Sequence, residues 1–396
     1  IADDDILTIS TAGLTGIQSV TNIAGIDAVT FADLANPVDV TIKSAPNDTE
    51  ANFNATALTG ASDSITATLS GTNGSDLVLT DDSVSTGSVL ESLTINSVSV
   101  ANTLGDLDTT GVLLPKLDIT GSTKLTITAA LDAEIATIDA SGSTGGFELT
   151  NTPGAPVLSV TGSPKADTIT ALAAGTASLS MGGGNDTVNF VATWTGADSY
   201  DGGDGVDTLG VAAALSNAGA SSTVFGGLSN VEVLAVSTEV AVTLESNTGF
   251  SIIDISDAAD QTVNLNDGYT QATTIKLGSD VTDNINNNAN VDLTVQTNSG
   301  GFTASTDIVG STGTNDVLNI VNAADGDTIF DTNNDVFETI NLVPFSATAD
   351  PTITLTGYSL ALGTGVVTIN AAGLGAGNVV TLVGNASATP INITSG

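Results

Sequence analysis

The chain has 396 residues, 44 acidic against five basic, and a formal charge of −39; all five bases are lysine, and histidine and cysteine are absent. These absences exclude Ser-His-Asp and Cys-His sites, imidazole and thiolate metal ligation, and disulfides. They also leave a polyanion that repels nucleic acid. Asp, Asn and backbone carbonyl remain, the hard oxygen donors suited to Ca²⁺.

Hydrophobic residues make up 41 % of the chain, so it is not a disordered acidic tail. No apolar run reaches eighteen residues, and no membrane insertion is expected. The start, IADDDILTIS, lacks the basic and apolar regions of a signal peptide. Export by another signal, or ends that are not the native ones, would account for this.

In chain order, short alternating runs rich in Thr, Val and Ile predict strands: SLTINSVSV at 92–100, KLTITAAL at 124–131, ASLSM at 177–181, TVNFV at 187–191, VEVLAV at 231–236, QTVNLN at 261–266, DLTVQT at 292–297 and VVTIN at 366–370. Gly, Asn, Asp or Ser interrupts them every few residues. The pattern predicts an almost entirely β chain of parallel strands four to seven residues long.

Self-similarity organises these runs. Within 1–135, DDDILTI with GIQSV opens a degenerate segment, in which NGSDLVLT (73–80) is followed by VLESLTINS (89–97). Within 136–245, ATIDASGSTGGFELT leads through PVLSVTGSPKADTIT to GGGND and GGDGVD, then to LSNVEVLAVS (228–237). Within 246–396, GTNDVLNI (313–320) is followed by DVFETINLV (335–343), and FSIIDISDAADQTVNL and VVTINAAGLGAGNVVTL repeat the 136–150 unit. INITSG falls where the next Gly-x-x-Asp is expected, which predicts further chain.

Three turns end in Asp167, Asp186 and Asp207, separated by 19 and 21 residues, each followed by Thr and an apolar residue. The calcium-binding β-helix repeat G-G-x-G-x-D-x-U-x gives eighteen residues per coil. The clusters are therefore expected to stack on one edge about 4.8 Å apart. Stacked carboxylates repel by roughly 3.5 kcal/mol per pair at an effective dielectric of about 20. Ca²⁺ would reverse that sign and couple binding to folding. The candidate ligands are Asp167, Gly182, Gly184, Asn185, Asp186, Asp201, Gly203, Asp204, Gly205 and Asp207, with Asp5, Asp63, Asp76 and Asp316 at decayed copies. The plain alternative is an Asx-type turn without metal, to which the decayed copies belong as readily. Asp132 is expected to matter much less.

Glu91, Glu232 and Glu338 recur in the second strand of each copy and read as register markers at a strand start. Trp194, in ATWTG, reads as a packed corner opposite the Asp edge. Thr rows could form an ice-binding ladder, but no strict Thr-x-Thr period persists. Sequons such as Asn54-Ala55-Thr56 are expected by chance in so Asn/Thr-rich a chain. With no histidine, no side chain has its ordinary pKa between pH 6 and 8, so assembly is expected to be insensitive to pH there.

The run LSVTGSPKADTITALAAGTASLSMGGGNDTVNF, with SYDGGDGVDTLGV and VFGGLSNVEVLAV after it, resembles the RTX-type lattice-forming region of calcium-dependent bacterial S-layer proteins of the Caulobacter type. The clear match covers about a third of the chain. The resemblance implies a right-handed parallel β-solenoid, several Ca²⁺ ions at the Gly-Asp turns and type I secretion. It also implies assembly of identical copies into an extracellular sheet on the cell surface, with envelope glycan or lipopolysaccharide as a possible anchor. Pro164 and Lys165 depart from the repeat, which predicts an incomplete first site. An RTX adhesin or matrix filament uses the same solenoid. A polysaccharide-active β-helix enzyme is disfavoured, because no Arg or His handles an acidic sugar and no carboxylate pair sits on an aromatic platform.

Overall fold

A computed structural model of the chain describes residues 6–23, 27–82, 88–109, 111–150, 157–172, 175–191, 194–212, 225–237, 241–244, 249–256, 261–266, 268–278, 283–289, 291–298, 307–309, 316–323, 328–330, 339–344, 352–356, 367–371, 379–383 and 391–395. Every regular element among them is a strand, and every resolved ladder is parallel. The fold is an all-β parallel solenoid. Most strands span three to seven residues, with Asn73–Asp81 longest at nine and Leu228–Ser229 shortest at two.

The chain divides into two compact units, residues 1–192 with 197–208, and residues 193–196 with 209–396. In the first, successive strands alternate between two sheets, so each coil adds one parallel strand to each. Parallel register stacks like positions: Ile65, Leu93, Leu117, Ile138, Val160, Leu179 and Tyr200 form one continuous column, each 2 % exposed or less. The second sheet answers with Leu104, Ile127, Leu149, Ile169 and Val188, all fully buried. The alternation seen in the sequence is the cause. A period of two sends the β-branched and Leu residues inward and the hydroxyls outward. Each buried aliphatic side chain contributes about 1.5–3 kcal/mol, so the core is a thin file repeated rather than one thick centre.

The second unit repeats the device. Leu234, Ile253, Ile275, Val295, Leu318, Ile340 and Ile369 follow one another in register. Its outward positions carry amides: Asn286 donates to the Asn264 side chain at 2.7 Å, and Asn341 to Asn319 at 2.7 Å. Like side chains stacked at strand spacing can satisfy one another.

Trp194 is buried at 3 % exposure, in keeping with a packed corner. Glu91 immediately precedes the strand Ser92–Ser97 and accepts the Asp63 N–H at 2.6 Å, and Glu232 precedes Val233–Val236, its carbonyl accepting from Ser251 and Ile252. Both mark a strand start, as expected; Glu338 lies outside the described residues.

Candidate functional site: the glycine–aspartate edge

Each conspicuous Asp sits immediately before a strand: Asp167 before Thr168–Leu172, Asp186 before Thr187–Phe190, Asp207 before Thr208–Val211. All three are buried, at 0–1 % exposure. Their carboxylates turn back along the stack. Asp186 Oδ1 accepts the backbone N–H of Asp167 at 2.7 Å, and Asp207 Oδ1 accepts that of Asp186 at 2.7 Å. Meanwhile the Asp167 carbonyl accepts the Thr187 N–H, and the Asp186 carbonyl the Thr208 N–H. Asp167 and Asp186 thus tie their coils to both neighbours, and each of the three satisfies a donor that the ladder leaves over where a strand begins.

The three are not equivalent. Both Asp167 oxygens are engaged: Oδ1 accepts from Phe147 N and Ser163 Oγ, and Oδ2 from Ser163 N at 2.6 Å. The turn holding Pro164 and Lys165 is thereby closed on itself, and both of those residues are exposed. Asp186 Oδ2 is buried and has no hydrogen-bond partner. Burial raises the carboxyl of Asp167 to about 6. It raises that of Asp186 to about 7, with the neighbouring Asp167 and Asp207 carboxylates adding to the rise. Desolvation, and for Asp186 the stacked neighbouring carboxylates, thus move two aspartates out of the ordinary carboxylate range toward pH 6–7, where no side chain has its ordinary pKa.

The glycines stack as the Asp residues do. Asp204 donates its N–H to the Gly182 carbonyl at 3.0 Å, and its own carbonyl accepts from Gly184 at 2.8 Å. Gly182 and Gly184 have positive φ, as do Gly203 at +91° and Gly205 at +150°. Shape also demands glycine at all four, most tightly at the last two: a Cβ on Gly203 would meet the Gly182 oxygen at 2.0 Å, and one on Gly205 the Gly184 oxygen at 1.7 Å. Asn185 is exposed, and its Oδ1 accepts the Val206 N–H at 3.1 Å. Asp204 is exposed, and Asp201 is half-buried at the end of Ser199–Asp201.

The decayed copies separate. Asp316 is a buried cap, its Oδ1 accepting from Leu293 at 2.8 Å. Asp63 closes a local turn on Gly60 at 2.8 Å. Asp76 is not in a turn, contrary to the reading of its motif. Gly74, with φ +88°, lets the chain bulge into the strand Asn73–Asp81, and the Asp76 side chain lies over Gly105. Asp5 lies outside the described residues. Asp132, expected to matter little, accepts both the N–H and the hydroxyl of buried Thr109, and so is itself a coil-to-coil tie.

Asp198 and Asp283 were not singled out by the sequence. They cap Ala177 at 2.8 Å and Gln261 at 2.9 Å from the residue before Ser199–Asp201 and Asn284–Asn287. The usable signal is an acid immediately before an alternating run, not the glycines.

Among the described residues, no three acidic side chains converge into a preformed metal cage. The donor set is nevertheless all oxygen, and Asp186 Oδ2 is a buried carboxyl oxygen with no hydrogen-bond donor, a position a hard cation fits. Both Asp167 oxygens, by contrast, already accept hydrogen bonds.

Comparison of the chain with known protein families, curated proteins and solved structures finds no match.

Proposed function

We propose that this chain is a structural protein of the cell exterior, a calcium-stabilised subunit of a self-assembling surface lattice. The observation that carries the reading is the buried, donor-free Oδ2 of Asp186, set between Asp167 and Asp207 on an edge of stacked glycine turns. Asp186 and Asp207 would hold the ion, with Asp204 and the turn carbonyls at 182–184 and 203–205 as the other oxygens at hand. Bound Ca²⁺ would supply positive charge to a file of stacked carboxylates whose basic neighbour, Lys124, acts on Asp167. The chain's own part is mechanical. Glycine turns bring two coils close, and the caps fix the strand starts, so an ion there stiffens the coils that carry intersubunit contacts. At a dissociation constant near 10⁻⁴ M, ~10 mM Ca²⁺ adds about 2.7 kcal/mol per site. The −39 charge and the resemblance to S-layer repeats support an exterior lattice, and the absence of His, Arg and Cys supports a non-catalytic role.

Titration calorimetry and electron microscopy test this together. Wild-type chain is expected to bind Ca²⁺ and form ordered arrays at millimolar Ca²⁺ that dissolve in chelator and that NaCl does not replace. Asp186→Asn should lose bound Ca²⁺. Unchanged stoichiometry in that variant would remove the site. Arrays persisting through prolonged chelation would remove the calcium lattice, and calcium-loaded single particles that bind glycan would favour an adhesin.

A further inference from the structure

Asn73 and Gly74 are the one Asn-Gly pair in the sequence. They open the strand Asn73–Asp81 at a bulge. The ladder pairs Asn73 with Thr103 and Ser75 with Leu104, passing over Gly74, and pairing with the preceding strand, Thr49–Phe53, starts only at Leu77. The extra residue of a bulge interrupts the ladder. Asn73 and Gly74 are both exposed, whereas Ser75 is buried at 1 % exposure. Gly74 has φ +88°, and a Cβ built on it would meet nothing within 4 Å. The Asn73 side chain has no hydrogen-bond partner among the described residues.

An asparagine Cγ lies one five-membered ring away from the backbone nitrogen of the next residue. Closure of that ring is opposed by a ladder that fixes the nitrogen, by a Cβ that shields it, or by a bond that holds the amide. Glycine removes the second obstacle, the bulge removes the first, and the unpartnered amide removes the third. Three asparagines in other loops are blocked. Asn36 precedes Pro37, which has no N–H. Asn54 Oδ1 accepts the N–H and the hydroxyl of Thr56 at 3.1 and 3.0 Å. Asn185 Oδ1 accepts the Val206 N–H, and the next nitrogen, that of buried Asp186, donates to Asp207 Oδ1.

We infer that Asn73–Gly74 is a self-modification site, at which the folded chain converts its own asparagine to aspartate and isoaspartate with water as the co-reactant. The Gly74 nitrogen gives its proton to solvent base and bonds to Asn73 Cγ. The Cγ–Nδ2 bond breaks, and the nitrogen takes up a proton and leaves as ammonia. Water then opens the cyclic imide at either carbonyl. One opening gives aspartate; the other gives isoaspartate, whose main chain runs through the side-chain carbons. Both place a new carboxylate in the strand that carries Asp76. That strand already bears repulsion: Asp48 Oδ1 accepts the Asp76 N–H at 2.9 Å, and burial, then the Asp48 carboxylate, raise the Asp76 carboxyl above its ordinary range. Isoaspartate also lengthens the backbone at the bulge, so the change loosens this coil irreversibly with time. The inference goes beyond the calcium reading and does not rest on it.

The test follows the full chain, folded in Ca²⁺ buffer and unfolded in urea, by peptide mapping with mass spectrometry and by enzymatic methylation of isoaspartate. In the folded chain Asn73 should convert before any other asparagine, at a rate that rises with pH and lies within about tenfold of the rate in urea. Asn73→Gln should abolish the isoaspartate signal of this peptide with an unchanged melting temperature, since the side chain is exposed and unpartnered. Gly74→Ala should slow conversion at least tenfold in urea, where folding plays no part. Asn73 left intact in the folded chain while it converts in urea would overturn the inference. So would earlier conversion of another asparagine in the folded chain, or an isoaspartate signal undiminished in Asn73→Gln.

Discussion

The coils closed by Asp186 and Asp207 and those closed by Asp283 and Asp316 meet one requirement with different turns. In both, a buried Asp before a strand accepts a backbone N–H from the preceding coil at 2.7–2.9 Å. The first pair follows GGGND and GGDGVD; the second follows stretches without a glycine pair. Aspartate at a spacing near twenty residues is thus a property of the solenoid, and the glycine turns are an addition at one edge. Recurrence of Asp alone does not mark calcium. The calcium proposal rests instead on a combination found at Asp186, a carboxylate oxygen that the cap leaves unused and stacked glycine turns beside it.

The largest effect separating these regions should come from the glycines. Gly205→Ala or Gly203→Ala forces a Cβ into a backbone oxygen of the coil beneath, beyond the ~1–3 kcal/mol of conformational strain alone. A loss above about 3 kcal/mol in urea unfolding is expected. Gly249→Ala, also at positive φ but with nothing closer than 3.8 Å, should cost about 1–2 kcal/mol. Equal losses at Gly205 and Gly249 would mean that the stacked turns are not close-packed.

Next come the caps. Asp186→Ala and Asp316→Ala should each lose about 1–3 kcal/mol in chelator, since each orphans a buried N–H. Asp132→Ala should fall in or near the same range. Only Asp186→Ala should also lose the melting-temperature rise given by Ca²⁺. Asp186→Asn keeps an acceptor for Asp167 without the buried charge, and should be at least as stable as wild type in chelator at pH 7.5 yet less stable in Ca²⁺. If Asp316→Ala abolished the calcium response equally, the distinction between the two regions would fail.

The pH dependence is smaller and has a definite sign. The folded carboxyls of Asp167 and Asp186, at about 6 and about 7, lie above the unfolded value of 3.8. Between those values these two groups hold more protons in the folded chain than in the unfolded one, so their contribution to stability is fully present below about pH 4 and is lost as pH rises through 6 to 7. Without calcium, the melting temperature should drop from pH 5 to 7.5, and Asp186→Asn should flatten that slope. Ca²⁺ must displace the residual proton, so near pH 6.5 its binding enthalpy should vary with buffer ionisation heat. The smallest change is at the surface: Lys124→Gln breaks the exposed 2.7 Å pair with Glu148 and should cost under ~1 kcal/mol.

The sequence by itself determined the class of fold, because a period-two pattern of β-branched residues broken by turns admits strands and little else. It also determined that Asp167, Asp186 and Asp207 share one edge, because a parallel coil of near-constant length returns like positions to like places. It could not rank them. Whether a carboxylate is spent on a neighbour's N–H, as at Asp167, or keeps an oxygen free, as at Asp186, depends on atoms some twenty residues away that only stacking brings within 3 Å. The same limit misassigned Asp76, where a bulge at Gly74 turned an apparent turn into a strand, and it hid the tie that Asp132 makes to Thr109 one coil back. Local pattern fixes the direction of a side chain, and the neighbouring coil decides what that side chain meets.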